Sequence, residues 1–350
     1  MRPEQWALFK AVAKGTRGPQ TPLALIVDSP WFPGYAGTGH LDYYLDAGTW
    51  FRANHQFARE FPDVIPFPGW WVEYGMAIEP SAMGSRIRFH SDQPPSQMPS
   101  LVRLADVEKL APVDPWSDGL MALALHRYRR DKQRIFDGGY TIPVVTARGP
   151  VCSAAFLRGL NELMVDLTDD PEGVHRLLEF TTAAIIRWLK AQAEAIGSSV
   201  DGLFILDDVV GFLSRRAYLE FAQPYLHRIC TAFPSDWVKV YHNDANVRPF
   251  LADLPDAGFD VLNWTHNVGF DEAARKLCGR MRLMGNVDPL KLGVRGTPAE
   301  VKAAALDVLG RASGGSFILS LGGGVSPGMP RENIAAMIGA VREFDERARP

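Results

Sequence analysis

Gly202-Leu203-Phe204-Ile205-Leu206-Asp207-Asp208 is an apolar run that ends in two carboxylates. It shows no alternation of polar and apolar residues, so neither face of the strand it predicts meets water. Strands buried on both faces belong to parallel sheets covered by helices. The pattern repeats in both directions. Downstream, a helix over 214–232 leads to Trp237-Val238-Lys239-Val240-Tyr241-His242, and a helix over 247–256 leads to Asp260-Val261-Leu262-Asn263-Trp264. A helix over 271–278 then leads to Met281-Arg282-Leu283-Met284-Gly285, and one over 297–311 leads to Ser316-Phe317-Ile318-Leu319-Ser320-Leu321. A final helix covers 331–346. Upstream, Thr141-Ile142-Pro143-Val144-Val145-Thr146 precedes helices over 153–166 and 170–196. Asp170 and Thr297 can each cap a helix whose first position is a proline, Pro171 or Pro298. Pro22–Asp28 and Asp63–Pro68 read as two more short buried strands, which makes eight.

Strands alternating with helices imply right-handed βαβ units. Eight such units in 350 residues fit an α/β fold, a (β/α)8 TIM barrel, as a single domain over 1–350. A helix over 3–13 precedes the first strand as an N-terminal extension. The early loops are long: 29–140 carries a helix over 41–60 and a loop or small hairpin over 80–115. The rival is a doubly wound open sheet, but no Gly-x-Gly-x-x-Gly turn follows the first strand and no phosphate loop is present.

Composition narrows the function classes. Lys and Arg number 37 against 40 Asp and Glu, a net charge of −3, with 47% hydrophobic and 22% charged residues. Such a chain buries a core rather than staying disordered, and it offers no basic footprint for nucleic acid. No stretch approaches the roughly 18 apolar residues of a membrane span, and Met1–Gln5 opens no signal peptide. Cys152, Cys230 and Cys278 are widely spaced and odd in number, which argues against a disulfide framework and for a reducing cytoplasm.

A TIM barrel gathers its site at the C-terminal ends of its strands. Those ends are Asp28 and Ser29, Arg148, Asp207 and Asp208, His242 to Asp244, Trp264 and His266, Asn286 and Asp288, and Gly322 to Gly324. Lys239 lies one pleat inside its strand, which leaves Schiff-base chemistry without support. His242 and Asp244, two apart on a strand, point the same way. They could hold zinc or a similar cation with Asp208 or His266 as third ligand; alternatively Asp244 orients His242, or both cap the next helix. Asp207 and Asp208 form an acid/base pair, or one of them braces loop amides. The triple glycine lets backbone N–H groups meet an anion, helped by the following helix, or simply makes a tight turn. Six of the nine tryptophans fall at 6, 31, 50, 70, 71 and 116, and either line an aromatic pocket or pack under a loop-rich region.

Five segments, in this order and spacing, resemble the uroporphyrinogen decarboxylase-like superfamily. They are Gly149-Pro150 with Ala154–Gly159; Asp170-Pro171-Glu172; Gly202–Asp208 followed by Ser214, Tyr218–Phe221 and Pro224-Tyr225; Gly285–Pro289; and Ile318–Gly322 with Val325, Pro327, Pro330 and Glu332-Asn333-Ile334. The resemblance covers 140–345 closely and 20–90 loosely. It implies a TIM barrel and two branches of activity, the decarboxylase and the cobalamin-dependent methyltransferases acting on coenzyme M, methanol-derived, chloromethane or methoxyaromatic methyl groups. In the decarboxylase an arginine-rich segment after the first strand holds the substrate's carboxylates. Here Asp28–Gly34 has no arginine, and the family's histidine in the last-strand turn falls at Gly323, so a porphyrinogen's carboxylates would lack cations. In the methyltransferases zinc sits on His-x-Cys and a cysteine in the last-strand turn. Here His242 is kept, while Asp244 and Gly323 stand where the cysteines would be.

The resemblance thus implies an oxygen-rich metal set, His242 and Asp244 with Asp208 or Glu79, or no metal at all. Harder ligands suit an ether or phenolate oxygen rather than a thiolate. The expected protein is a corrinoid-dependent methyltransferase or demethylase component. It would move a methyl group from a small donor, such as a methoxylated aromatic, to a cobalamin carried by a partner protein. The alternatives are a decarboxylase or other lyase on a small carboxylic acid, with Asp28 or Asp208 as proton donor, and a non-catalytic small-molecule-binding barrel. The candidate catalytic residues are Asp28, Asp207, Asp208 and His242. The candidate substrate-binding residues are Trp31, Trp264, His266, Asn286 and Gly323. A homodimer stays open as the oligomeric state.

Overall fold

The computed structural model describes residues 1–16, 18, 20–312 and 316–347. Its eight parallel strands are β1 (Leu23–Ile26), β2 (Val64–Phe67), β3 (Val144–Arg148), β4 (Gly202–Leu206), β5 (Val238–Asn243), β6 (Val261–Trp264), β7 (Arg282–Val287) and β8 (Phe317–Leu321). They are laced in the order β2-β1-β8-β7-β6-β5-β4-β3 and curl, with the surrounding helices, into a (β/α)8 barrel. The short apolar runs of the sequence are these strands, each within three residues of its expected bounds. Side chains alternate between two cores. Ala24, Ile26, Ile65, Phe67, Val144, Phe204, Val240, Met284 and Ile318 fill the barrel, while Leu25, Val145, Ile205, Tyr241, Leu262 and Leu319 pack outward beneath the helices.

The helix Pro3–Ala13 plugs the N-terminal end of the barrel with Trp6, Phe9, Val12 and Ala13. From it a column of rings climbs the interior. Trp6 stacks on Phe9 at 5.5 Å, Phe9 on Phe67 at 4.9 Å, Phe67 meets Phe204 at 4.9 Å, and Phe204 meets the His242 ring at 6.1 Å. Below His242 the barrel is therefore dry and packed, and chemistry is confined to the mouth.

β2 and β3 face each other without a ladder. Free strand edges leave unpaired N–H and C=O groups that must find partners, and here side chains supply them. On β3, Gln192 accepts from Thr146 N (3.2 Å) and donates to Thr146 O (2.9 Å), and Glu79 Oε1 accepts from Arg148 N (2.8 Å). On β2, Gln5 donates to Val64 O at 2.8 Å.

Several helices depart from the expected bounds for local reasons. The helix over 41–60 is two, His40–Leu45 and Ala47–Glu60, because Asp46 caps the second through Gly48 N and Thr49 N. Pro150–Arg158 and Leu160–Asp169 are separated by Gly159 at φ 98°. Arg215–Phe221 and Gln223–Thr231 part ahead of Pro224, which cannot donate a backbone hydrogen bond. The helix expected over 247–256 is a set of turns ending in the 3-10 segment Leu254–Ala257. Gly119–Asp137 is a helix the sequence reading missed. Its buried stripe of Met121, Ala124, Leu125, Tyr128 and Ile135 has helical spacing but is diluted by five Arg or Lys residues. Asp170 and Thr297 cap as expected, through Gly173 N and Glu300 N. The three cysteines are free. Among the described residues no helix is long and apolar enough to cross a membrane.

Candidate active site

His242 ends the inner face of β5, paired in register with Leu206 and Asn263. Its Nδ1 lies 2.7 Å from Asn263 Oδ1. Asn263 Nδ2 donates to Met284 O (2.7 Å) and Leu321 O (2.9 Å), so both amide hydrogens are used and Oδ1 must accept. Nδ1 therefore carries a proton, and Nε2 is the ring atom turned to the mouth, the one a metal would take. Nε2 stands 3.5 Å from Asp208 Oδ1 and 4.0 Å from Asp244 Oδ2. One donor atom from each of the three residues falls within 4.8 Å of the others. In a tetrahedral zinc site, bonds of about 2.0–2.2 Å put ligand atoms roughly 3.3 Å apart, so this gap is the size a small cation closes. Burial and the charge of Asp208 push the Asp244 carboxyl up, while His242 pulls it down. A cation between the two carboxylates would relieve that crowding. His242 is buried while Asp208 and Asp244 open toward solvent, which leaves one side of the triad free.

Asp207 is the outward neighbour of Asp208 and takes no part in the mouth. It is fully buried and accepts from Val151 N (3.3 Å) and Cys152 N (2.7 Å), capping the helix Pro150–Arg158. Burial pushes its carboxyl up to about 7. It is the brace of the pair.

On the seam side of the mouth stand Asp28, Glu73 and Arg148. Burial raises Asp28 to about 6 against the pull of Arg148 and then His242. Burial and the charge of Asp28 raise Glu73 to about 8. Gly322 to Gly324 pass between β1 and β5. A Cβ at Gly323 (φ 147°) would sit 3.4 Å from Asp244 Oδ2, and one at Gly324 would sit 3.9 Å from Asp28 Oδ1. The structure thus brings Asp28, Asp208, His242, Asp244 and Gly323 together at the mouth of the barrel. The triple glycine is a close-approach turn rather than a helix-backed anion site, since the next helix begins only at Arg331.

Five other candidates stand elsewhere. Glu79 is not with the triad: its Oε1 is bound to Arg148 N at the seam. Trp31 is buried, stacked on Tyr35 at 4.4 Å, with its indole N–H on Met329 O. Trp264 points outward from β6, with its N–H on Val268 O and its ring against Gly285. These two tryptophans are packing, not pocket walls. His266 sits at the rim, its Nε2 3.3 Å from Asp288 Oδ2 rather than in the triad. Asn286 is buried and donates to Val268 O at 3.0 Å. The sequence reading missed Asn263 and Glu73. Asn263, a polar residue inside an apolar run, was a usable signal; Glu73 lies in the Trp- and Pro-rich loop after β2 and gave none.

The comparisons with known proteins agree with this frame. Residues 35–344 match the family described as Uroporphyrinogen decarboxylase (URO-D). The chain belongs to the uroporphyrinogen decarboxylase family. Among curated relatives, the uroporphyrinogen decarboxylase of Pseudoalteromonas translucida is 27% identical over 277 residues, 77% of this chain and 76% of that protein. That of Thermus thermophilus is 34% identical over 170 residues, 48% of each chain. Among solved structures, a methyltransferase from Methanosarcina mazei superposes with a TM-score of 0.84 at 22% identity, covering 97% of this chain and 98% of that one. At that identity the superposition speaks for the barrel.

Proposed function

We propose that this member of the uroporphyrinogen decarboxylase family is a cytoplasmic methyltransferase component. It would take a methyl group from a small donor of the methoxylated-aromatic kind and deliver it to a cobalamin held by a separate corrinoid protein. The observation that carries this reading is the sulfur-free triad Asp208–His242–Asp244, whose Nε2 and two carboxylates fit a divalent cation such as zinc. Such a cation, when bound, supplies Lewis-acid polarisation of a donor oxygen. Asn263 fixes the His242 tautomer, Asp208 and Asp244 balance the charge, and the ring column below keeps water out from beneath. The mouth opens to solvent on the triad's carboxylate side, where a partner protein could reach it.

A second reading is favoured by Asp28, whose carboxyl is held near 6 beside His242 and Arg148. It would act as proton donor in a lyase on a small acid. Porphyrinogen itself is a poor fit, because the segment after β1 contains no arginine and runs into the short helix Phe32–Ala36.

The deciding experiment measures metal content by plasma mass spectrometry and methylcobalamin formation by visible spectrum, for wild type and His242→Ala. Metal and methyl transfer should vanish together in the variant, with a loss of at least about 100-fold in rate, while the fold survives. Retained transfer in His242→Ala would sink the metal reading. Carbon dioxide release without corrinoid would favour the lyase.

A further inference from the structure

Two buried side chains at the mouth end in atoms with no partner, and both converge on one residue. Arg148 is 6% exposed. Its Nη2 reaches only Gly75 O, at 3.4 Å, and its Nε has no partner. The guanidinium lies 5.7 Å from the centre of the Trp71 ring. Glu73 is 2% exposed. Its Oε2 accepts from Ser29 Oγ (2.7 Å) and Gly75 N (2.6 Å), and Ser29 Oγ is in turn fixed by Tyr44 OH at 2.6 Å. Its Oε1 has no partner. Gly75, at φ 61°, turns its N–H to one side chain and its carbonyl to the other, so the two bare atoms flank a single residue.

A buried donor without an acceptor, and a buried charge without a counter-charge, are each costly. The charge of Arg148 is felt by Asp28, Glu73, Glu79 and Asp244. Yet among the described residues the ion pairs at the mouth are those of His242 and His266, and Arg148 makes none. Burial and the charge of Asp28 push the Glu73 carboxyl up to about 8, which favours its protonated form at neutral pH. Since Oε2 accepts two hydrogen bonds, the proton belongs on Oε1, which then donates. A neutral carboxylic acid can serve as such a donor in an apolar site. The two bare atoms thus belong to donors anchored on the same glycine, one of them charged, and their complement is a group with two acceptor oxygens and a negative charge.

We propose that Arg148 Nε and Glu73 Oε1 form a carboxylate-binding subsite, so that the substrate is a small organic monocarboxylate. Its reacting end would face Asp208, His242 and Asp244, and that orientation rests on the function proposed above. The subsite itself does not. It lies on β3 and the loop after β2, not on the segment after β1.

The test is titration calorimetry on the purified protein without corrinoid, using 3-methoxybenzoate and benzoate against the neutral ether methoxybenzene. Both benzoates should bind wild type at least tenfold more tightly than methoxybenzene. Arg148→Gln should remove that preference, and so should Glu73→Leu. Glu73→Gln, whose amide can still donate at the Oε1 position, should stay within about threefold of wild type. If Arg148→Gln fails to fold by circular dichroism, the Glu73→Leu and Glu73→Gln pair decides. Equal binding of charged and neutral probes, or benzoate affinity unchanged in Arg148→Gln or in Glu73→Leu, overturns the proposal. Benzoate binding that follows these variants, in a protein that never methylates cobalamin, would leave the subsite standing and the methyl-transfer reading fallen.

Discussion

The mouth has two halves built in different ways. Across β4, β5 and β6 the strands are laced in register, and the functional side chains follow from it: Leu206, His242 and Asn263 pair at one level, with Asp208 and Asp244 just past the strand ends. Across the gap between β2 and β3 there is no ladder, and Gln5, Glu79 and Gln192 hold the free edges. The laced half presents acids open to solvent around one imidazole. The seam half presents a buried arginine and a buried, neutral glutamic acid. A strand ladder places side chains by period alone, whereas a seam held by side chains leaves room to bury polar groups whose partners come from outside the sheet.

The largest effect expected from breaking this contrast is on the laced half. Asn263→Ala removes the acceptor that fixes the His242 tautomer without touching the triad. Loss of such a supporting partner typically costs about 10–100-fold in metal affinity or activity. Titration with a zinc-competing chelator should therefore show weaker metal binding in the variant, while Asn263→Asp, which keeps an acceptor oxygen, should recover part of it. Unchanged metal affinity in Asn263→Ala would mean that the amide is only a core hydrogen bond.

On the seam half, Gln192→Ala should act on stability instead. It orphans Thr146 N and Thr146 O together, at about 1–3 kcal/mol for each buried group left unsatisfied. A drop in melting temperature of several degrees should accompany unchanged turnover per folded molecule. A Gln192→Ala protein as stable as wild type would show that β2 and β3 can close on each other unaided.

This division also marks what the sequence could tell. All eight strands were legible as short apolar runs, and Asp28, Asp208, His242 and Asp244 as the polar residues that end them, because one-dimensional periodicity determines both. Asp207 and Asp208 were legible only as a pair. Which one faces inward depends on the pleat, and adjacent residues take opposite faces. Trp31 and Trp264 were read as pocket walls because aromatic side chains suit pockets and cores alike. Glu79, Glu73 and Gln192 act across 69, 44 and 46 residues of chain, on Arg148, Ser29 and Thr146 respectively. No local pattern encodes pairings of that span. Arg148 was seen as a strand end, but its bare Nε exists only once Gly75 and Glu73 are folded against it.

The last expected effect concerns pH and sharpens the description of Glu73 as a neutral acid. Its carboxyl stands near 8 in the folded chain against about 4.3 for an exposed glutamate. Between those values the folded protein keeps a proton that the unfolded chain has released, so raising the pH favours unfolding, and the loss is complete once the pH passes the folded value. Asp28 and Asp207 are raised for the same reason, to about 6 and about 7, and the buried Met1 amine, lowered to about 5, pulls the other way. Tyr43, Tyr44, Tyr74 and Tyr128, which also feel Glu73, are all pushed upward and stay neutral throughout this window. Asp207 and the Met1 amine are shared with Glu73→Gln and cancel when the two proteins are compared, and Asp28, coupled to Glu73, differs only where Glu73 itself ionises. The melting temperature of Glu73→Gln relative to metal-free wild type should therefore climb from about pH 4.5 and level off above about pH 8. A flat difference across that range would mean that Glu73 is ionised in the folded protein, and the donor role assigned to its Oε1 would fall with it.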